Sequence, residues 1–287
     1  MIAIGAAILA GFFYALTSLF SRVGLERAEP GSAAIVSSWI NALIFWPIFF
    51  FVLPVSMLRS LAVLPFIAAG MAGPFLGRLT LYYAIRRLGV SLSEPLFNAQ
   101  VIFIALGGVI FFGEQITVFG GLGIGILMVG LVFISTNMQA GNIGVVKKKR
   151  YLLIPLTSAF FFGISTLVRK IGLNIEPEVF LGLPVAATAS LSSLYLSSPF
   201  TKQAISIPRN RALLPLVLAG LSSATAQFLS LTSISRGDLV VVIPLQNMSP
   251  IFTIAITALL LRRLERVTGG VVVGVFLVVA GAALVNF

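Results

Sequence analysis

Apolar residues occur along this chain in runs of about 20, and short polar segments separate each run from the next. A helix of that length crosses the hydrocarbon core of a bilayer, whereas barrel strands are half as long and alternate in polarity. The pattern therefore predicts an all-α integral membrane protein with ten transmembrane spans. The predicted spans, numbered 1 to 10, lie at about residues 3–21, 32–54, 62–85, 91–112, 118–136, 151–168, 179–198, 212–235, 239–261 and 268–286.

Composition supports a membrane protein and excludes several functions. Of 287 residues, 59% are hydrophobic and 9% are charged, whereas a soluble domain carries about 25% charged residues. The net charge of +11 lies in the gaps between apolar runs rather than on one exposed face, so we expect no nucleic-acid partner. The sequence contains no Cys and no His, which excludes disulfides, thiolate or imidazole metal sites and catalysis based on either side chain. We expect no metal, no cofactor and no enzymatic activity.

The Lys and Arg residues of the loops predict the orientation. Fourteen lie in odd-numbered loops, and four lie in even-numbered loops, at Arg59, Arg169, Lys170 and Arg236. The positive-inside rule places the richer loops in the cytoplasm. We therefore predict a multi-pass protein of the plasma membrane with both termini extracytoplasmic. The basic segment 147–150 is interpreted as a topology determinant that contacts anionic lipid head groups.

The two halves of the chain are similar to each other at an offset of 148 to 150 residues. The clearest pair is Pro95-Leu96-Phe97-Asn98 in span 4 and Pro244-Leu245-Gln246-Asn247 in span 9. We predict two five-helix domains, at residues 1–140 and 147–287. Because five is odd, the second copy must enter the membrane from the opposite side. Inverted repeats are typical of secondary transporters, which alternate access around a site near the midplane.

Several motifs in order resemble the EamA-like branch of the drug/metabolite transporter superfamily: Tyr82-Tyr83-Ala84-Ile85-Arg86-Arg87-Leu88-Gly89, Pro95, Phe112-Gly113-Glu114 and the Gly-rich span 5. The resemblance implies ten helices around a central cavity lined by spans 1, 3, 4, 6, 8 and 9, with spans 5 and 10 peripheral. It also implies export or exchange of small metabolites, often amino acids, without ATP. The second half departs from the pattern, because Arg263 stands in register with Glu114.

Arg78 is the first candidate for a binding residue. It lies about 12 Å inside span 3, which is deeper than an Arg side chain readily extends to the interface. One interpretation is an anion anchor, since a guanidinium binds carboxylate or phosphate through two hydrogen bonds. The other is a structural pair with Glu94 or with backbone carbonyls.

Three amides lie at a similar depth in the predicted spans. Asn98 and its repeat counterpart Asn247 each follow a proline by three residues, and Gln227 lies in span 8. The proline removes a backbone donor and loosens the helix, so freed carbonyls or the amides can meet a solute. Contacts that only join helices are the alternative. Tyr14 and Tyr82 are candidates for contact with the apolar part of a solute.

Two further interpretations concern Glu94 and the glycines. Glu94 is either a proton carrier or, in the interpretation favoured here, a solvated partner of Arg86 or Arg87. Gly121 with Gly125, and Gly270 with Gly274, are interpreted as small faces that let spans 5 and 10 pack closely.

The predicted function is therefore secondary transport of a small organic solute, an amino acid or another carboxylate-bearing metabolite, by export or exchange. A monomer with two repeats suffices for this function, with membrane lipids as its surroundings. The alternatives are a lipid-handling membrane protein or enzyme and a scaffold subunit that transports nothing. No catalytic pair at membrane depth supports the enzyme.

Overall fold

The computed structural model describes residues 2–88, 93, 96–139, 149–201, 207–208, 211–249, 251–253, 256 and 269–284, and all regular elements in these ranges are helical. The first half contains α1 (Ile2–Leu25), α2 (Pro30–Val52), a short 3-10 helix (Val55–Arg59), α3 (Val63–Gly70), a π-helical turn (Met71–Gly77), α4 (Arg78–Leu88), α5 (Gln100–Phe112) and α6 (Val118–Gln139). The second half contains a 3-10 helix (Lys149–Leu152), α7 (Leu153–Ile175), α8 (Val179–Thr201), α9 (Leu213–Arg236), α10 (Leu239–Gln246) and α11 (Gly269–Leu284).

Six helices in the described ranges are long and apolar enough to cross a membrane: α1, α2, the continuous unit of α3 and α4, α7, α8 and α9. They correspond to predicted spans 1, 2, 3, 6, 7 and 8. The other four predicted spans contain α5, α6, α10 and α11, which do not meet the same requirement within the described residues. The count of ten spans and the inverted orientation of the repeats stay predictions.

The prediction that Arg169 and Lys170 lie in a loop is wrong. Helix α7 continues to Ile175, so both residues are helical. The ammonium group of Lys170 donates hydrogen bonds to the carbonyl oxygens of Ile234 at 3.0 Å and Gly237 at 2.9 Å. A cation is stabilised at the C-terminal carbonyls of a helix, here those of α9, and this is why a Lys is tolerated inside an apolar segment.

The two halves of the chain are interleaved. Helix α1 packs against α9 of the second half, and α7 packs in turn against α3, the π-helical turn and α4 of the first half. The helices α2 and α8 also pack on each other, as do α6 and α11. Each of these pairs joins one half to the other, so neither half buries its apolar faces alone.

Glu114 connects the end of α5 to the start of α10. The chain turns at Gly113, whose φ of +66° is a left-handed conformation that favours glycine. The Glu114 carboxylate is buried and accepts the backbone N–H groups of Leu239 and Val240, both at 2.9 Å. These are the first two residues of α10, so a negative charge from the first half caps a helix of the second half.

The glycine faces predicted for spans 5 and 10 are only partly correct. A Cβ added at Gly125 would meet nothing within 4 Å, so that face is open. The close approach uses other positions: a Cβ at Gly130 would lie 2.8 Å from the carbonyl oxygen of Gly274 and 2.7 Å from the backbone nitrogen of Val278. The interface between α6 and α11 therefore follows from the rotation of the two helices, which the spacing of the glycines does not fix.

The outer surface of the helices is apolar. Large side chains such as Phe51, Phe111 and Phe276 are exposed, whereas Phe49 and Phe66 are fully buried in the core between the helices. A helix that is apolar on both its inner and its outer face suits a lipid surrounding. Many of the buried polar side chains line a central cavity instead.

Candidate functional site

The helices enclose a cavity of about 110 Å³, counted as the volume that the centre of a water molecule can occupy. One water molecule needs about 10–15 Å³ by that measure, so the cavity has room for a small organic solute. Except for Arg169, which directly follows predicted span 6, the described lining residues come from predicted spans 1, 3, 4, 6, 8 and 9, the set that the resemblance implies. All six residues predicted to bind a solute line it: Tyr14, Arg78, Tyr82, Asn98, Gln227 and Asn247.

A π-helical turn places Arg78 at the cavity. Pro74 lies inside the turn Met71–Gly77, where its missing N–H interrupts the regular ladder, and Arg78 is the next residue after the turn. The hydroxyls of Ser165 and Ser158 on α7 donate to the carbonyl oxygens of Ala69 at 2.8 Å and Gly77 at 2.7 Å, respectively. Because these carbonyls find partners on α7, the irregular backbone is stable at membrane depth.

The Arg78 guanidinium is 7% exposed. Its Nη1 donates to the Ser37 hydroxyl of α2 at 2.9 Å, and its Nη2 donates to the Ser223 hydroxyl of α9 at 3.2 Å. Both partners are neutral, and within the described residues no carboxylate lies at salt-bridge distance from Arg78. The alternative pair with Glu94 lies outside the described residues. Arg78 is thus held by neutral hydroxyls with its charge uncompensated by those partners.

Arg169 is a second cation of the cavity, which the sequence interpretation missed. Its side chain is 8% exposed, and its Nη2 donates to the Gln227 side-chain oxygen at 3.3 Å. A signal for it exists in the sequence: the cavity-lining residues of α7 are Phe162, Ser165, Thr166 and Arg169, which are spaced three, four and seven apart, as on one helix face. Because a charge usually ends a transmembrane span, the sequence pattern predicts an end before Arg169 and does not include it in this face.

Gln227 links the two arginines. Its side-chain nitrogen donates to the Asn41 side-chain oxygen at 2.8 Å and to the Ser223 hydroxyl at 3.3 Å, while its oxygen accepts from Arg169. Since Ser223 also accepts from Arg78, a chain of hydrogen bonds runs from one guanidinium to the other. This chain fixes the orientation of the Gln227 amide and holds both cations on the same cavity.

Helices are interrupted at both asparagines. A turn replaces regular helix at Asn98 and Ala99, and the same turn recurs at Asn247 and Met248. The Asn247 nitrogen Nδ2 donates to the carbonyl oxygen of Ile243 at 2.8 Å. By contrast, Asn98 is 2% exposed, and among the residues that the structure describes its Nδ2 has no hydrogen-bond partner. A buried donor without a partner is costly in a folded protein, so it is a candidate contact for a bound solute.

A second group of polar side chains surrounds Asn247. Gln100 donates from its side-chain nitrogen to the Asn247 side-chain oxygen at 3.1 Å. Gln246 accepts from the Ser230 hydroxyl at 2.8 Å and donates to the Ser233 hydroxyl at 2.7 Å. Of these residues, Gln100 from the first half and Ser230, Gln246 and Asn247 from the second line the cavity, so the two halves share this part of its wall.

The tyrosines supply both aromatic surface and hydroxyls. Tyr82 is buried, and its hydroxyl accepts a hydrogen bond from Ser21 at 3.3 Å, while Tyr14 lines the cavity from α1. Trp39, in contrast, is partly exposed and donates to the Tyr195 hydroxyl at 3.0 Å, away from the cavity lining. The two predicted tyrosines thus lie on the cavity.

The chemistry of the lining is cationic and polar. It contains two guanidiniums and several amides and hydroxyls, and no Asp or Glu among its described residues. The described ranges also contain no group of three or more Asp, Glu, His or Cys side chains arranged to hold a metal. Such a lining suits binding of an anionic group through hydrogen bonds. Glu94, which the sequence analysis interprets either as a proton carrier or, preferably, as a solvated partner of Arg86 or Arg87, lies outside the described residues.

Comparison with known proteins gives three similarities. The EamA-like transporter family model matches residues 1–136 and 149–287. Over 70 residues the chain is 30% identical to a probable 4-amino-4-deoxy-L-arabinose-phosphoundecaprenol flippase subunit, ArnE, from Aeromonas hydrophila. That stretch covers 24% of this chain and 61% of the relative. A crystal structure of a protein at 14% identity has a TM-score of 0.81, over 99% of this chain and 97% of the other, which shows a common fold.

Proposed function

Because this chain belongs to the EamA-like transporter family of the drug/metabolite transporter superfamily, we propose that it is a secondary transporter of a small organic solute with an anionic group. An amino acid or another carboxylate-bearing metabolite is the solute class we favour. The proposed mechanism is alternating access by two inverted five-helix repeats in the plasma membrane, working as export or exchange.

The central cavity is the observation that carries this proposal. It is lined by six predicted spans drawn from both halves, and it holds Arg78 beside Ser37 and Ser223. A guanidinium has five N–H donors, and the described partners of Arg78 take two of them. The remaining donors are suited to the two oxygens of a carboxylate. A dry core without a cavity around Arg78 would instead have favoured a scaffold.

Each of the other predicted residues has a proposed role in the same cavity. Asn98 donates from its amide nitrogen Nδ2, which has no partner within the described ranges, to the solute, and Asn247 presents its amide from the matching break in the second half. Tyr14 and Tyr82 contact the apolar part of the solute. Gln227 orients the arginines, because its amide is already bonded to protein partners.

The helix breaks and interleaved packing suit movement of one half against the other. Turns at Asn98 and at Asn247 divide spans 4 and 9 near the cavity, and divided helices are a common feature of secondary transporters. Helix α1 packs on α9, and α7 packs on α3 and α4. Because each of these contacts joins the two halves, a rocking motion of one half against the other would shift all of them together. The solute would then meet the same side chains from either face of the membrane.

A second candidate is suggested by the flippase relative. The name of ArnE describes a subunit that acts on a lipid-linked sugar phosphate, and an arginine also binds a phosphodiester. For this candidate the solute would keep its lipid chain in the bilayer during transport. The two candidates are distinguished by supplying one head group in two forms, free and attached to a lipid, and measuring which form is moved in the same vesicles.

Uptake into proteoliposomes tests the proposal. Purified protein is reconstituted and supplied with labelled amino acids and organic acids, with and without a proton gradient or an unlabelled internal solute. We expect at least one carboxylate-bearing solute to be transported by the wild type and lost in Arg78→Gln. The matched control is Arg59→Gln, an exposed cation, which should transport as the wild type does.

The alternatives give different results in that assay. Equal transport by Arg78→Gln and the wild type would contradict the anion-anchor role of Arg78 but would still support the transport function. Movement of a lipid-linked phosphate, but of no water-soluble solute, would favour the flippase. A gradient-driven activity that Glu94→Gln abolishes would support the proposed proton carrier.

A further inference from the structure

The central cavity holds two guanidiniums, and its second one has no role in the function proposed above. Arg78 comes from α4 in the first half, and Arg169 comes from α7 in the second half. They are not counterparts in the repeat: at an offset of 149, Arg78 corresponds to Gln227, and at 148, Arg169 corresponds to Ser21. The second cation is thus specific to one half, and its presence calls for its own explanation.

The polar partners of the two arginines are neutral. Arg78 donates to two serine hydroxyls, and the described partner of Arg169 is the oxygen of Gln227. Within the described residues, neither guanidinium lies at salt-bridge distance from a carboxylate, and the described cavity lining contains none. Two positive charges therefore face one small space without a negative protein group among the residues described there. Charges at membrane depth are costly unless they are paired.

We propose that the transported solute carries two negative charges, and that Arg169 binds the second. This inference rests on the proposed function and narrows its substrate class from carboxylate-bearing solutes in general to dianions, so that amino acids without a net charge are excluded. A dianion pairs with both guanidiniums, a monoanion leaves one unpaired, and a zwitterion brings a further positive charge into a space that already holds two. The dianion is a dicarboxylate or a phosphate monoester, which share the chemistry of two charges carried by oxygens.

The hydrogen-bond chain through Ser223 and Gln227 supports this arrangement. It joins the two guanidiniums through three contacts of 3.2, 3.3 and 3.3 Å, so their relative position is fixed before the solute arrives. A pair of cations at a fixed distance selects for the separation of two anionic groups as well as for their presence. Because each half supplies one arginine, a bound dianion bridges the halves.

The alternative role for Arg169 is structural, in which it only orients Gln227. A structural role predicts that substitution weakens every solute equally. A binding role predicts a change in selectivity between dianions and monoanions. The two roles are therefore separated by comparing solutes of one size and different charge.

The test uses the full chain in detergent and in proteoliposomes. Affinity is measured from ligand-dependent thermal stabilisation with succinate, butyrate and 4-aminobutyrate, which share a four-carbon chain but are a dianion, a monoanion and a zwitterion. For phosphate monoesters, the affinity of glycerol 3-phosphate is compared with that of uncharged glycerol in the same way. In the wild type we expect a dianion of at least one arm to bind about tenfold or more tightly than its matched partners. Transport of each solute is measured in parallel.

Variants at Arg169 then test its role. In Arg169→Gln we expect dianion affinity to fall about 10- to 100-fold, the range for a hydrogen bond to a charged group, with monoanion affinity nearly unchanged. Arg169→Lys should retain part of the preference, and Arg59→Gln should behave as the wild type does.

The proposal is overturned if the monoanion or zwitterion binds as tightly as the dianions, or if Arg169→Gln weakens all solutes by the same factor. Transport of a zwitterion in preference to the dianions would leave the proposed function intact and contradict only this inference. Tight dianion binding without transport of any solute would contradict the proposed function, and with it transport of a dianion, while supporting Arg169 as a dianion-binding residue.

Discussion

The carboxylate of Glu114 provides the sharpest test of how the two halves are joined. Its two oxygens accept the first two backbone N–H groups of α10, both at 2.9 Å, from a buried position. Helix α10 ends at Gln246, and the residue after it is Asn247, so the cap at one end positions cavity residues at the other. We expect Glu114→Gln to destabilise the protein and to weaken solute binding.

The expected loss follows from the contacts. The glutamine amide keeps one acceptor, while its NH2 group faces the second backbone N–H, which loses its partner at a cost of about 2–3 kcal/mol. Loss of negative charge at the helix N-terminus costs about 0.5–1 kcal/mol more. The neutral amide recovers part of the desolvation cost of a buried carboxylate. We therefore expect a net loss of about 2 kcal/mol, or about 4–8 °C in Tm.

Thermal melting of the purified protein, followed by the fluorescence of Trp39 and Trp46, measures this change. The control is Glu26→Gln, an exposed carboxylate beyond the end of α1, which should leave Tm unchanged. If Glu114→Gln melts within about 1 °C of that control, the contact at α10 contributes little and the reasoning from burial and geometry is refuted.

Three further substitutions are measured in the same melting assay. Asn98→Leu should raise Tm by about 2–4 °C while lowering solute affinity, because no described residue partners its buried amide nitrogen. Asn247→Leu should lower Tm, because its amide is hydrogen-bonded, and the reverse order of the two variants would contradict the assignment. Gly130→Ala should separate α6 from α11 and destabilise the protein, whereas Gly125→Ala faces open space and should stabilise it by about 0.5–1 kcal/mol. Equal effects of the two variants would count against this interface. Ser165→Ala should cost about 1–3 kcal/mol, because it leaves a carbonyl of α3 unpaired, and an unchanged Tm would mean that this carbonyl has another partner.

The sequence by itself determined the helical class, the positions of six long apolar helices and the six predicted residues that line the cavity. These features depend on local properties. The length of an apolar run sets the span, and the depth of a polar residue follows from the rise per residue, so Arg78, Asn98 and Asn247 were found by position alone. The offset between the halves then placed corresponding breaks at both asparagines.

Only the tertiary structure decided which distant groups meet. The sequence predicts Arg169 in a loop because a charge usually ends a span, yet it lies inside α7, where Gln227 of α9 accepts its hydrogen bond. The partner of Glu114 is the start of α10, 125 residues away, and no local pattern identifies it. The contact face of Gly130, rather than that of Gly125, depends on the rotation of α6 against α11. Such contacts are set by the packing of whole helices, whereas the sequence pattern of one segment fixes only its own length, period and depth.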